Sequence, residues 1–233
     1  MTATTDTGYA ALPALMARMT GDEKHALAAA STVDVLWVLY DRILDIGPDR
    51  LDDPDRDRFL LSKGHGPAAY YAVLAAKGIL DPDLLTGWAG RESPLGRHPD
   101  RVLVPGAEIG SGSLGHGLPI AVGVAIGLRA QERHRPRVVV LVGDAELDEG
   151  SNAEAMALAG RLGLDRLTVA VVDNSSATYG WPGGIARRFA VEGWATSTVD
   201  GRDHDELYEA FTRPHPGRPA VVVAVTEDKA SLR

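Results

Sequence analysis

The feature that most restricts this chain is a set of apolar runs in its second half that do not alternate in and out. Arg137–Val142 (RVVVLV), Leu167–Val172 (LTVAVV) and Ala220–Val225 (AVVVAV) are continuous and rich in β-branched residues. A strand with one face in water repeats with a period of two. A strand apolar at every position is covered on both faces, as in a parallel sheet between two helical layers. Segments of helical composition separate the runs: Glu149–Leu162, a short stretch near Ile185–Glu192, and Asp203–Phe211, with a further strand expected near Ala195–Val199. The first half reads mostly as helix, over about Glu23–Leu44, Gly66–Lys77, Pro82–Trp88 and Leu114–Arg133, with one short strand, Arg58–Leu61. The expected fold is therefore α/β: a doubly wound parallel sheet with helices on both faces and a helical N-terminal layer. One domain is expected over residues 1–233, with about the first eight disordered.

Composition removes several function classes. Net charge is −8 and the basic residues are scattered, which argues against a nucleic-acid surface. The longest apolar stretch, roughly Leu118–Leu128, is interrupted by glycine and too short to span a bilayer. The N-terminus has no basic segment followed by an apolar one, so no secretory leader is expected. The absence of cysteine excludes disulfides and thiolate metal sites and suits a cytoplasmic location.

Ligands of doubly wound sheets bind beyond the carboxyl ends of the strands. Three segments end strands here: Gly143-Asp144, Asp173-Asn174 and the turn Ser62–Gly66. Twenty-nine residues lie between Asp144 and Asn174, the length of one strand–helix–strand crossover, so both side chains can emerge at one sheet edge. A carboxylate, an amide oxygen and a carbonyl form a hard-oxygen set suited to Mg²⁺, which completes its shell with phosphate and water. Gly143 permits a tight turn whose following N–H groups can face a phosphate. An aspartate after a strand and an asparagine in a turn are commonplace, so this spacing alone leaves a purely structural reading open.

The segment from Gly143 to Asn174, GDAELDEGSNAEAMALAGRLGLDRLTVAVVDN, resembles the thiamine diphosphate (ThDP) signature of transketolases, with Ala145 where the second glycine usually stands. The resemblance implies that Asp144, Asn174 and the Ser176 carbonyl bind Mg²⁺ and that the Gly143–Ala145 turn faces the cofactor diphosphate. It also implies that Glu149 sits where two cofactor sites communicate across a dimer interface. Upstream, RDRFLLSKGHG resembles the family turn whose histidine, here His65, contacts the diphosphate. LGRHPDRVLVPGAEIGSGSLGHG resembles a long transketolase block. There His98 matches a histidine of the thiazolium and substrate channel, and Gly112 and Leu114 match the loop beside the pyrimidine. His116 stands where the family usually has glutamine. Aligning VDVLWVLY with a family helix puts His25 at the place of a catalytic histidine, though its surroundings (EKHAL) differ. The other reading of His25 is a solvent-facing residue in a helix's first turn. Lys63 reads as a solvated neighbour or a phosphate contact, and His134, His204 and His215 as structural. The likeness covers roughly residues 20–228.

In transketolases a second α/β domain binds the pyrimidine, and after the last expected strand only Thr226–Arg233 remain. The resemblance thus implies a separate C-terminal transketolase subunit carrying the pyrimidine-binding domain, in an α₂β₂ assembly. The expected reaction is transfer of a two-carbon ketol unit from a ketose phosphate to an aldehyde. Two alternatives stay open: a relative with an unusual acceptor, and a non-catalytic scaffold. Leu114–Leu128 adds a physical reason for a partner. It reads as a helix apolar all round, and its own sheet can cover only one side.

Overall fold

The computed structural model describes residues 8–20, 26–178 and 180–227. Five strands form one parallel sheet: β1 (Arg58–Leu61), β2 (Val138–Gly143), β3 (Leu167–Asp173), β4 (Ala195–Asp200) and β5 (Ala220–Val225), in the spatial order β1-β2-β3-β5-β4. The non-alternating runs are explained by the two cores. Val139, Leu141, Ala170, Val172, Val222 and Ala224 face one core, while Val138, Val140, Val142, Val169, Val171, Val221 and Val223 face the other. Each fully buried valine or leucine contributes about 1.5–3 kcal/mol. Only the edge strand β4 is part-exposed along its length.

The first core is closed by α1 (Leu12–Ala17), α2 (Ala26–Val38), α3 (Ala68–Ala76) and α7 (His204–Thr212). The second is closed by α4 (Gly117–Ala130), α5 (Gly150–Leu162) and α6 (Gly184–Val191). Helix α5 ends at Gly163 in the left-handed region (φ 55°, ψ 52°), a conformation glycine adopts without a Cβ penalty. The Asp203 carboxylate caps α7 by accepting the N–H groups of Asp205 and Glu206.

Three elements differ from expectation. The helix expected over Glu23–Leu44 passes from α2 into a π-helical turn at Leu39–Ile43, and Glu23 to His25 lie outside the described residues. Pro82–Gly87 is a 3₁₀ helix. Helix α1 was not expected: at six residues, with Leu12 its one fully buried side chain, it is too short to show a period. It is held by packing on α3.

Candidate active site

The carboxyl ends of β1, β2 and β3 lie side by side, in register Leu61↔Leu141 and Gly143↔Val172. The turns that follow them, with the loop before α4, enclose a cavity of about 400 Å³. His65, His98, Gly112, Leu114, Gly143, Ala145, Asn174 and Ser176 all line it. Four segments far apart in sequence therefore converge where the strand ends predicted.

Asp144 is 1% exposed and is the anchor of this end of the sheet. Its Oδ2 accepts the Ser176 N–H at 2.5 Å and the Ala177 N–H at 2.9 Å, and its Oδ1 accepts the Ser176 hydroxyl at 2.5 Å. The turn after β3 is thereby wrapped onto the carboxylate, with Ser175 at φ 56°. Asn174 is buried, and its Nδ2 donates weakly to Ser31 Oγ at 3.5 Å. Its Oδ1 is buried without a hydrogen-bond partner. An unpaired buried oxygen costs roughly 1–3 kcal/mol, so this atom calls for a donor or a cation. A carboxylate beside an unpaired amide oxygen fits a hard divalent cation that takes few protein ligands. Among the described residues no group of three or more histidine, cysteine or acidic side chains is placed to hold a metal, so any cation here would depend on neutral oxygens and on phosphate.

The His65 and His98 rings lie 5.2 Å apart, tilted by 53°. Two glycines make room for His98. A Cβ at Gly64 would lie 2.6 Å from Ser111 Cβ and 3.0 Å from His98 Cδ2, and one at Gly112 (φ +131°) would lie 3.6 Å from His98 Cγ. The Lys63 stem lies across Gly143 and joins the cavity wall. Leu114 is 52% exposed at this site.

Four sequence candidates are not among the lining residues: Asp144, buried beneath the Ser176 turn that bonds to it, and three others. Glu149 is exposed at the start of α5, with its Cβ against Gly115. His116 turns its ring onto its own loop, Nδ1 toward Ser113 O and Nε2 toward Gly110 O at 3.2 Å. His25 lies outside the described residues.

Sequence reasoning missed Ser62 and Glu146, both buried and both lining the cavity. Burial raises the Glu146 carboxyl above the usual range, against the opposing hydrogen bonds from Ser62, Gly115 and Gly143. In the acidic stretch AELDE this residue reads as one more solvated charge, and its burial depends on contacts from Ser62 and Gly115.

The chain matches the family model described as transketolase, thiamine diphosphate binding domain, over residues 14–227. A protein named ferredoxin fas2, from Rhodococcoides fascians, is 60% identical over 227 residues, which cover 97% of this chain and 75% of that protein. This sequence contains no cysteine, the residue whose thiolate usually holds an iron–sulfur cluster. One of the subunits of an apulose-4-phosphate transketolase from Actinobacillus succinogenes is 35% identical, with 89% of this chain and 78% of that relative covered. Among solved structures, transketolase from Leishmania mexicana superposes with a TM-score of 0.75 at 27% identity. That match covers 92% of this chain but 36% of that enzyme, so the chain spans little more than a third of its length.

Proposed function

The chain belongs to the transketolase family through its thiamine diphosphate-binding domain, and on that premise we propose that it is the diphosphate-binding subunit of a split, Mg²⁺-dependent transketolase. The observation that carries this is the unpaired Asn174 Oδ1 on a residue lining the same cavity as His65 and His98, in a turn that Asp144 holds through Ser176. When bound, the cofactor supplies the carbon nucleophile through which a two-carbon ketol unit leaves a ketose phosphate and joins an aldehyde.

In this reading Asp144, the Asn174 amide oxygen and the Ser176 carbonyl hold Mg²⁺. The Ala145 amide, carried by the turn at Gly143, and His65 bind the diphosphate, each donating an N–H to anionic oxygen. Gly112 and Leu114 lie along the pyrimidine and keep water from it. His98, with His25, orients substrate oxygens and moves protons at them, work that calls for a group titrating near neutrality. Glu149 is exposed beside the loop at Gly115, and in this reading it meets a neighbouring subunit.

The partner is a separate chain carrying the pyrimidine-binding domain, in a cytoplasmic α₂β₂ assembly. The relative named as a transketolase subunit supports this, and so does α4. Its Leu118, Ala121, Val122, Ala125 and Leu128 are buried on the sheet, while Ile120 and Gly123 face outward. A Cβ built at Gly123 or Gly127 meets nothing within 4 Å, so small residues leave room for close approach. An obligate interface of this kind buries about 2,000–5,000 Å². A second reading, delivery of the two-carbon unit to an acceptor other than a sugar aldehyde, draws on His116 in place of glutamine and on the altered surroundings of His25.

Sedimentation and a coupled ketol-transfer assay test the proposal. The chain alone is expected to self-associate and to transfer nothing, and activity is expected to return on adding the pyrimidine-domain subunit. A well-behaved monomer with full activity would overturn it.

A further inference from the structure

Glu146 has no place in the chemistry above, yet its carboxylate is 2% exposed and every hydrogen bond it accepts joins a different segment of the site. Its Oε1 accepts from the Ser62 hydroxyl after β1 and from the Gly115 N–H at 3.0 Å. Its Oε2 accepts from the Gly143 N–H at 3.4 Å, at the end of β2. Ser62 Oγ in turn accepts the Gly117 N–H at 3.0 Å. Gly117 is the first residue of α4, whose own N-cap residue, His116, makes no side-chain capping bond. The Ser62–Glu146 pair therefore caps α4 from across the site, and a carboxylate near a helix N-terminus gains from the helix dipole as well.

The approach is too close for any residue but glycine. A Cβ at Gly117 would lie 2.2 Å from Ser62 Cβ and Oγ, and Gly115 sits at φ +82° with Glu149 Cβ 2.5 Å from where its own Cβ would be. Gly115 is gripped at both ends, its N–H by Glu146 and its carbonyl by the Ser151 hydroxyl at 2.8 Å. Leu114 and Gly112, which line the cavity, lie directly before it. Leu114 is half exposed, so its position depends on the anchoring of the backbone beside it more than on packing of its side chain. A buried carboxylate is expensive to retain where an apolar group would fill the space, which points to a role in setting one geometry.

We propose that Glu146 is a positioning residue that locks the loop 110–117 to the ends of β1 and β2, and so sets the affinity for ThDP without touching the reacting atoms. The cofactor part rests on the function proposed above, whereas the lock itself is a property of this chain.

The test uses the assembled two-chain complex with three readouts: amide hydrogen exchange across residues 110–117 without cofactor, ThDP affinity by calorimetry in Mg²⁺ buffer, and kcat at saturating ThDP. Glu146→Ala is expected to speed exchange and weaken ThDP binding by about tenfold each, the equivalent of one hydrogen bond to a charged group. Its kcat at saturating cofactor is expected to stay within about threefold of wild type, a difference smaller than one such bond. Glu146→Gln still accepts from Ser62 and Gly115 through Oε1, loses only the long Gly143 bond because its NH₂ cannot accept, and is expected to restore most of both losses. If the alanine variant does not fold, Ser62→Ala, which removes the bonds of Ser62 to Glu146 and Gly117 and leaves the Glu146 contacts with Gly115 and Gly143, is read on the same scale. Unchanged loop exchange and ThDP affinity in these variants would overturn the proposal, as would a fall in kcat at saturating cofactor with affinity unchanged. Wild-type complex that fails to bind ThDP would instead sink the functional reading, and the exchange comparison would then decide the lock by itself.

Discussion

Asp144→Asn separates the metal from the fold more cleanly than truncation. Asp144→Ala removes three accepted hydrogen bonds and strands the Ser176 and Ala177 amides beside a buried space, at about 1–3 kcal/mol each. Any loss of cofactor could then be blamed on the turn. Asparagine keeps the arrangement. With its oxygen in the Oδ2 position it still accepts both amides, and its NH₂ in the Oδ1 position can donate to Ser176 Oγ once that hydroxyl rotates. What changes is charge. Replacing charged acceptors by neutral ones costs about 1–3 kcal/mol in sum, and at about 2–4 °C per kcal/mol for a domain of this size the melting temperature should fall by roughly 2–12 °C. The loss at the cation is larger. Two unit charges about 4 Å apart at an effective dielectric of about 20 attract by about 4 kcal/mol, so Mg²⁺-dependent ThDP affinity should fall by about 10²–10³-fold. Calorimetric titration of ThDP into the assembled complex, with and without Mg²⁺, reads this directly. A folded Asp144→Asn complex that binds ThDP with wild-type affinity and keeps its Mg²⁺ requirement would refute the metal assignment.

The two cavity histidines should separate on substitution. His65→Ala should mainly weaken ThDP binding, and His98→Ala should mainly lower turnover at saturating cofactor, by about 10²–10³-fold for one lost catalytic hydrogen bond. Changes confined to cofactor affinity in both variants would contradict that division. Away from the cavity, Tyr9, Arg202 and His204 converge on Asp34, at 2.5, 2.6 and 2.8 Å. Burial alone would raise the Asp34 carboxyl, but these hydrogen bonds outweigh it and hold it below the usual carboxylate range. A lowered folded-state value contributes stability above the unfolded-state value and loses it as pH falls through the folded one. The wild-type melting temperature should therefore drop on acidification below about pH 4, and Asp34→Asn should show a shallower drop; parallel acid limbs would show that Asp34 is not the group responsible.

Much of this architecture was legible in the chain itself. Continuous β-branched runs such as Val138–Val142 and Val221–Val225 can be buried on two sides in only one common way, so they announced a parallel sheet under two helical layers. The interval between Asp144 and Asn174 is that of one crossover, which by itself puts both residues at the same sheet edge. Glycines that permit close approach, at 64, 112 and 117, stood inside recognisable motif text. Tertiary structure alone decided the rest. Nothing local says that β5 inserts between β3 and β4. Leu114–Leu128 read as uniformly apolar, and only packing on the sheet divides it into a buried face and the open one bearing Ile120 and Gly123. Glu146 is the clearest case, since in sequence it is one acid among three and in the fold it is the buried acceptor that ties three segments together. Local patterns register whether a segment as a whole prefers water. Which neighbour covers a given side chain is set by contacts such as Glu146 with Ser62, 84 positions apart, and no window along the chain contains both.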